Sequence, residues 1–163
     1  MVFTSGFMGL SVSRSYAARP IQIRRIQWAL QMLETEISYA LTPLPEALLG
    51  ISEKIEGAVG QFFLITSQLL GQEQGMTAGE AWKEALKSLK GSTALTEGDI
   101  DVLSSLGANL GSSHREEQLK HLRLTQEHLK HQELCAEKDR EKGERIWRTA
   151  GFFGGLVIVI ILL

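Results

Sequence analysis

Apolar side chains recur at alternating spacings of three and four residues in the segment that follows the first arginines. The positions are Ile23, Ile26, Leu30, Leu33 and Ile37. Residues at these spacings share one face of an α-helix, whereas a half-buried strand would show strict alternation. The pattern therefore predicts one long amphipathic helix.

Two more helices are expected after short connections. Thr42 suits an N-cap, because its hydroxyl can accept a hydrogen bond from a free backbone N–H. Pro43 suits the first helical position, where no N–H is needed. Gly57 and Gly60 bracket the start of the next helix. The predicted buried faces consist of Leu44, Leu48, Ile51 and Ile55, and then of Phe62, Phe63, Thr66, Leu69 and Leu70.

Three further helix starts carry the capping-box pattern or a close variant of it, at residues 77–80 (TAGE), 96–99 (TEGD) and 113–116 (SHRE). No proline interrupts the last helix before residue 148, and its apolar face is thin, so it is partly exposed or covered by a partner. The sequence therefore predicts an all-α, six-helix antiparallel bundle at residues 19–148. Its inward positions are Ala81, Trp82, Ala85, Leu86 and Leu89, then Ile100, Leu103, Leu106 and Leu110, then Leu119, Leu122, Leu129 and Ala136.

An apolar tail, residues 149–163, follows the last helix without a break. As a helix its 15 residues would rise about 22 Å, against about 30 Å for a hydrocarbon core. We expect a short membrane-spanning or deeply inserted anchor; the alternatives are a buried core helix or a truncation. The anchoring residues would be Trp147 at the interface, and Phe152, Phe153, Leu156, Val157, Ile158, Val159, Ile160, Ile161 and Leu162.

Small residues in this tail have the spacing of helix-packing motifs. Gly151 and Gly155 form a GxxxG pair, and Gly154 lies four residues after Ala150. In lipid, such pairs let helix backbones approach closely. The alternative is that small residues fall at this spacing by chance.

The other end, residues 1–18, reads as a partial N-terminal membrane segment and its junction. Its first 12 residues carry no charged side chain, and Arg14 and Arg19 come afterwards. A signal peptide would carry its positive charge before the apolar stretch. We therefore expect translation to begin upstream of Met1. The positive-inside rule then places the bundle in the cytoplasm, with membrane segments at both of its ends.

Composition narrows the range of functions. The net charge of −2 at pH 7 gives no basic surplus for nucleic acid. The single cysteine, Cys135, excludes an internal disulfide and favours a reducing compartment.

Candidate chemistry is sparse. His128, His131 and Cys135 share a face of the last helix, but a zinc site would need a fourth ligand from elsewhere, so a hydrated charged face is the preferred interpretation. Glu34 and Glu36 lie two residues apart on a helix and point to opposite flanks, so they do not form an acid/base pair. The phosphate-binding and hydrolase motifs are missing from the sequence. These features predict a protein that is not an enzyme and that uses no cofactor, metal or small-molecule substrate.

Four blocks of the sequence resemble the stage III sporulation protein AB family: residues 19–48, 81–86 (AWKEAL), 106–129 and 151–163 (GFFGGLVIVIILL). The first reads RPIQIRRIQWALQMLETEISYALTPLPEAL and the third LGANLGSSHREEQLKHLRLTQEHL. The resemblance covers nearly the whole chain, except for its start, where the family carries a fuller membrane helix. It marks these positions as interface or core: Leu33, Glu34, Glu36, Ile37, Tyr39, Pro43, Leu44, Trp82, Leu106, Gly107 and Gly111.

The resemblance implies a structural membrane protein of endospore-forming bacteria, on the mother-cell side of a channel complex between mother cell and forespore. It implies a fold similar to the cytoplasmic domains of type II secretion F proteins. The implied partners are other membrane proteins of the complex, a secretion-type ATPase and membrane lipid. The competing interpretation is a tail-anchored helical adaptor or regulator unrelated to secretion, with the first helix as its partner groove.

Overall fold

The computed structural model describes the backbone of residues 3–40, 42–72, 75–111 and 114–162. Within these ranges it describes side-chain surroundings from residue 17 to residue 146, except at 144. The described chain forms six α-helices and no strand, which confirms the all-α prediction. The helices are α1 (Phe3–Thr35), α2 (Leu44–Ser52), α3 (Ala58–Gly71), α4 (Ala78–Ser92), α5 (Glu97–Gly107) and α6 (Arg115–Leu162), with a π-helical turn at Glu36–Ala40.

The helices pack in a closed ring around one core. Each of α2 to α5 contacts the next helix in the chain, α6 contacts α1, and α1 also contacts α2 and α3. Short connections join the helices that follow one another in the chain, and the antiparallel order that such connections favour stays a prediction. Most of the buried apolar residues belong to the predicted helix faces, and Ala29, Ala47 and Val59 are buried in addition. The predicted positions Ile37, Leu44, Leu69, Leu70 and Leu119 are only partly buried. Among the described residues, α6 contributes only Leu122, Leu129 and Ala136 to the buried apolar set.

Two helix starts are capped as the sequence predicts. At α4, the Glu80 amide donates to the Thr77 hydroxyl (3.3 Å), and the Thr77 amide donates to the Glu80 carboxylate (2.8 Å). At α5, Thr96 and Asp99 make the same reciprocal pair. Each box satisfies two backbone donors that a helix start otherwise leaves unpaired.

The start of α2 differs from the prediction by one residue. Pro43 is the N-cap and the helix begins at Leu44. The Thr42 hydroxyl donates to the Glu36 carboxylate at 2.8 Å, so it does not serve as the cap. The reason is the π-helical turn at the end of α1, which ends the 3.6-residue period and leaves Ile37 only partly buried against the core.

Aromatic rings fill the core between α3 and α4. Phe62, Phe63 and Trp82 are almost wholly buried, and each pair meets edge to face, with ring centroids 4.7 to 5.8 Å apart. This is the geometry that aromatic quadrupoles prefer.

Within the described part of the chain, no helix is both long enough and apolar enough to cross a membrane. The membrane segments predicted at residues 1–18 and 149–163 are therefore not supported, and the physical reason is the shortness of both apolar runs. The helical backbones of α1 and α6 do continue through these regions. The side chains assigned to anchoring and to close packing lie outside the described residues, so those roles stay predictions: Trp147, Gly151, Phe152, Phe153, Gly154, Gly155, Leu156, Val157, Ile158, Val159, Ile160, Ile161 and Leu162.

Candidate docking surface on the first helix

The helix α1 has an apolar stripe on each of two sides. One stripe is the predicted core face, which includes Ile23 and Leu30, both fully buried. On the opposite side Trp28 is 59% exposed and Ile21 is 46% exposed. Their spacing of seven residues puts them on one face, about 10.5 Å apart along the axis. A tryptophan that is exposed to this degree is a feature of binding surfaces, because tryptophan is enriched among the residues that contribute most to binding affinity.

An open groove of about 470 Å³ runs beside Trp28. Its far wall comes from the connection after α2, through Lys54 and Ile55. Met32 lies on the α1 side, one turn beyond Trp28. The lining combines three apolar side chains with two uncharged polar ones, Gln31 and Thr35, and one cation, which suits the binding of a largely apolar side chain rather than chemistry. The lining residues are Trp28, Gln31, Met32, Thr35, Lys54 and Ile55.

A seam of charged residues joins α1 to α6 beside the groove, and it includes Arg24, one turn before Trp28. Arg24 donates to the carboxylates of Glu133 and Glu137, both at 2.8 Å. Gln27 donates to the second oxygen of Glu133 at 2.8 Å. The donors of Arg24 and Gln27 on α1 are thereby committed to α6.

The seam extends toward the C-terminal end of α1 through Glu34. Its carboxylate accepts hydrogen bonds from Arg123 (2.7 Å) and Gln126 (3.0 Å) of α6. Glu36 instead accepts from Thr42. The structure thus directs the two carboxylates to different partners.

A buried ion pair ties the α1 and α6 pair to the start of α5. Arg19 donates to both carboxylate oxygens of Asp99, at 2.8 and 3.0 Å, and to the Gln132 carbonyl oxygen at 3.0 Å. Burial raises the pKa of Asp99, but hydrogen bonds from Arg19 and Thr96 outweigh it and hold that pKa below its ordinary value. The same hydrogen bond raises the pKa of Arg19. This residue pair is 80 positions apart in the chain, so no local pattern announces it.

The glycines of the third family block shape the turn between α5 and α6. The Trp82 indole donates to the Leu103 carbonyl at 2.8 Å, and its ring lies so close to Gly107 that any side chain there would collide with it. Gly111 has a φ of +77°, which L side chains rarely adopt, and it lies against Ala78. Gly107 therefore serves packing, and Gly111 serves the turn that leads into α6.

The remaining family-motif positions divide between core and surface. Leu33 and Leu106 are buried, and Ile37 and Leu44 pack partly buried against the core. Tyr39 is 84% exposed on the π-helical turn, so it is a surface residue. The structure does not bring Tyr39 to the Trp28 groove, whose lining does not include it.

The histidines of α6 lie mainly on its exposed side. His128 and His131 are exposed, and the Nδ1 of His131 is 3.9 Å from the sulfur of the free Cys135. Among the described residues, no group of three or more histidine, cysteine, aspartate or glutamate side chains is placed to hold a metal ion.

Sequence reasoning offered the first helix as a partner groove only in its competing interpretation, and it assigned no residue to that groove because it placed only the stripe that faces the core. The available signal was Trp28 itself, a large apolar residue between the stripe positions Ile26 and Leu30. Lys54 carried no such signal, since its place beside Trp28 depends on how α2 folds back along α1.

Comparison with known proteins identifies relatives along the full length of the chain. A family model described as Stage III sporulation protein AB matches residues 1–163. The Stage III sporulation protein AB of Bacillus subtilis (strain 168) is 32% identical over 163 residues, which cover 100% of this chain and 95% of the relative. A solved structure of Stage III sporulation protein AB matches with a TM-score of 0.73 and 34% identity, over 77% of this chain and 98% of that one. The chain therefore belongs to the stage III sporulation protein AB family.

Proposed function

We propose that this sporulation protein is a non-enzymatic, membrane-associated adaptor in a channel complex between mother cell and forespore. The observation that carries the proposal is the unequal length of its helices. The helices α1 and α6 have 33 and 48 residues, about 50 and 72 Å, while α2 and α4 have 9 and 15, about 14 and 22 Å. Two long helices paired along a charged seam suit a rigid body that links a membrane to partners.

The apolar tail at the end of α6 supports the membrane side of the proposal. Residues 149–163 carry no charged side chain, and α6 leads into them without a break. On this proposal they associate with the bilayer, and the pair Gly151 and Gly155 packs against helices of neighbouring membrane proteins. The arginines before residue 26 keep the bundle in the cytoplasm.

The described side chains support a binding role rather than catalysis. Buried polar side-chain atoms in the described part of the chain all have hydrogen-bond partners. The Arg19 and Asp99 pair and the Glu34 contacts connect helices and leave no carboxylate directed into the groove. Catalytic sites instead need titratable groups that converge on a cleft.

The resemblance to type II secretion F domains suggests the partners on the cytoplasmic side. A six-helix bundle that is held near a membrane would serve as a platform for the other membrane proteins of the complex and for a secretion-type ATPase. This assignment rests on likeness of fold and family, and the partners are part of the proposal.

Complementation tests the proposal directly. The full chain is expressed in an endospore-forming bacterium that lacks its own copy, and heat-resistant spores are counted. We expect the full chain to restore spores and to stay with membranes after carbonate extraction, and residues 19–148 alone to do neither. Gly155→Leu should lower spore counts, whereas Gly143→Leu, where a new side chain meets nothing within 4 Å, should not. Full rescue by residues 19–148 alone would contradict a membrane role.

A further inference from the structure

Three apolar residues of α1 lie along its outer side, with Arg24 and Arg25 between the first and the second. Ile21, Trp28 and Met32 lie at positions i, i+7 and i+11, which fall within about 40° of one another around the helix axis. This set is called the Trp28 strip below. We propose that the Trp28 strip and its groove dock an acidic amphipathic helix of a partner protein. The inference deepens the proposed adaptor function, on which it rests.

The core of the bundle does not require the two exposed members of this strip, Ile21 and Trp28, whereas Met32 packs partly buried against the core. The faces that build the core are complete without Trp28, and the other indole of the described bundle, Trp82, is fully buried there. Apolar surface left in water is unfavourable, and a tryptophan that a partner covers often dominates the affinity of an interface. An exposed indole beside a preformed groove therefore points to an occupant.

The charges around the strip select the kind of occupant. Lys54 lines the groove and forms no ion pair with any residue that the structure describes. Arg25, on the same flank, donates to the backbone carbonyl of Glu56 at 3.3 Å and likewise has no carboxylate partner in the described chain. Glu53 and Glu56 are close in sequence, but neither lines the groove. Arg24, one turn before Trp28, is already paired with Glu133 and Glu137, so the cations beside the strip that have no carboxylate partner in the described chain are Lys54 and Arg25. These two charges complement carboxylates on the partner.

The shape of the surface favours a helix. The two exposed anchors, Ile21 and Trp28, are one heptad apart, so a helix laid along α1 meets both with its own residues i and i+7. A second copy docked face to face would bring Lys54 and Arg25 of both chains into one interface, and like charges there oppose association. An anionic bilayer would satisfy the charge but has no side chain to enter the groove.

The first experiment finds the occupant. A photo-crosslinking amino acid is placed at position 28 of the full chain in sporulating cells, and at the exposed position 39 as a control. The crosslinked fragment is sequenced. We expect position 28, and not position 39, to capture a segment of another protein with apolar residues at helical spacing and with Glu or Asp beside them. Capture of this chain itself, or of lipid alone, would overturn the proposal.

The second experiment tests the chemistry with that segment as a labelled synthetic peptide, titrated against the full chain in detergent. Trp28→Ala should weaken binding by roughly thirtyfold, the effect of losing a central tryptophan. Lys54→Glu should weaken it by roughly fivefold, and a peptide with its acidic residues changed to lysine should recover affinity for that variant. The matched controls Tyr39→Ala and Lys83→Glu should bind as the unchanged chain does. Equal binding by Lys54→Glu would refute the acidic partner.

The spore assay separates this inference from the proposed function. If the full chain restores heat-resistant spores and Trp28→Ala restores them equally well, the docking strip is wrong while the adaptor function stands. If the unchanged full chain restores none, the proposed function itself fails, whatever the peptide binds.

Discussion

One apolar core runs through the bundle, but its two sides differ: aromatic rings pack tightly on one side, and charged pairs are added at the edge of the other. Between α3, α4 and α5, the rings of Phe62, Phe63 and Trp82 meet edge to face, and Trp82 lies against Gly107. Between α1 and α6, the main contacts of the seam are those of Arg24 and Glu34 with partners on the facing helix.

The two sides determine different properties of the fold, namely the shape of the bundle and the register of its long helices. Tightly packed rings leave no spare volume, so adding or removing a single methyl group changes the free energy of unfolding. An apolar stripe with a three-and-four spacing could slide along its neighbour by a heptad and still find apolar contacts. The charged and polar pairs remove that freedom, because Arg24, Gln27 and Glu34 meet partners at Glu137, Glu133 and Arg123, in the reverse order along α6. The aromatic side determines the shape of the body, and the seam determines the register of its two long helices.

The largest effect is expected from the aromatic side. Trp82→Ala should lower the free energy of unfolding by about 4 kcal/mol, because it removes a fully buried ring and leaves the Leu103 carbonyl without its donor. Chemical denaturation of the full chain in mild detergent, followed by circular dichroism, measures it. The exposed Trp28→Ala is the control and should change the value by less than about 0.5 kcal/mol. Equal effects would mean that the rings of the core are not what stabilises this half.

The next largest effect is expected from the buried ion pair. Asp99→Ala should lower the free energy of unfolding by about 3 kcal/mol, because it leaves the Arg19 guanidinium unpaired and removes a helix cap. The same denaturation experiment measures it, with the exposed Asp101→Ala on the same helix as control. A loss no larger than that of the control would show that this pair contributes little.

A single added methyl group tests the close contact in the aromatic half. Gly107→Ala should lower the free energy of unfolding by about 2 kcal/mol, since its Cβ would collide with the Trp82 ring. Gly50→Ala in α2 meets nothing within 4 Å and should stabilise the protein by up to about 1 kcal/mol. Parallel denaturation curves decide between them, and a neutral Gly107→Ala would mean that the ring has room to move.

Acid should lower the free energy of unfolding by protonating Asp99, the partner of Arg19. Its pKa is depressed in the folded protein, so the stability it provides is complete above its unfolded pKa near 3.8 and is lost as pH falls through the lower folded value. Thermal unfolding at pH 5 and at pH 3 should therefore show a smaller acid-induced drop for Asp99→Asn than for the unchanged chain. Identical drops would place the acid sensitivity elsewhere.

The smallest effect is expected from the exposed part of the seam. A double-mutant cycle with Glu34→Gln and Arg123→Gln should give a coupling of about 0.5 kcal/mol, because the Arg123 side chain is largely in water. The coupling should shrink in about 1 M salt, which screens exposed charges. A coupling of several kcal/mol would show that the seam, and not the aromatic half, dominates stability.

Much of the fold could be read from local signals. The caps at Thr77 and Thr96 depend on residues three apart, and the buried face of α1 on a spacing within one helix, so neither needs knowledge of the rest of the chain. The turn before α2 was placed one residue early, since the π-helical turn that directs Thr42 to Glu36 has no local signature. The membrane segments were inferred from apolar composition, and the described structure does not support them.

The sequence by itself determined that this protein is all-helical, where most helices begin and which faces they bury, because those properties follow from the periodicity and capping of neighbouring residues. The resemblance of its motifs also indicated the sporulation family. Only the tertiary structure decided that Arg19 meets Asp99 and that Lys54 stands beside an exposed Trp28. Those contacts join residues tens of positions apart, and their geometry exists only once the packed core has set the distances between helices.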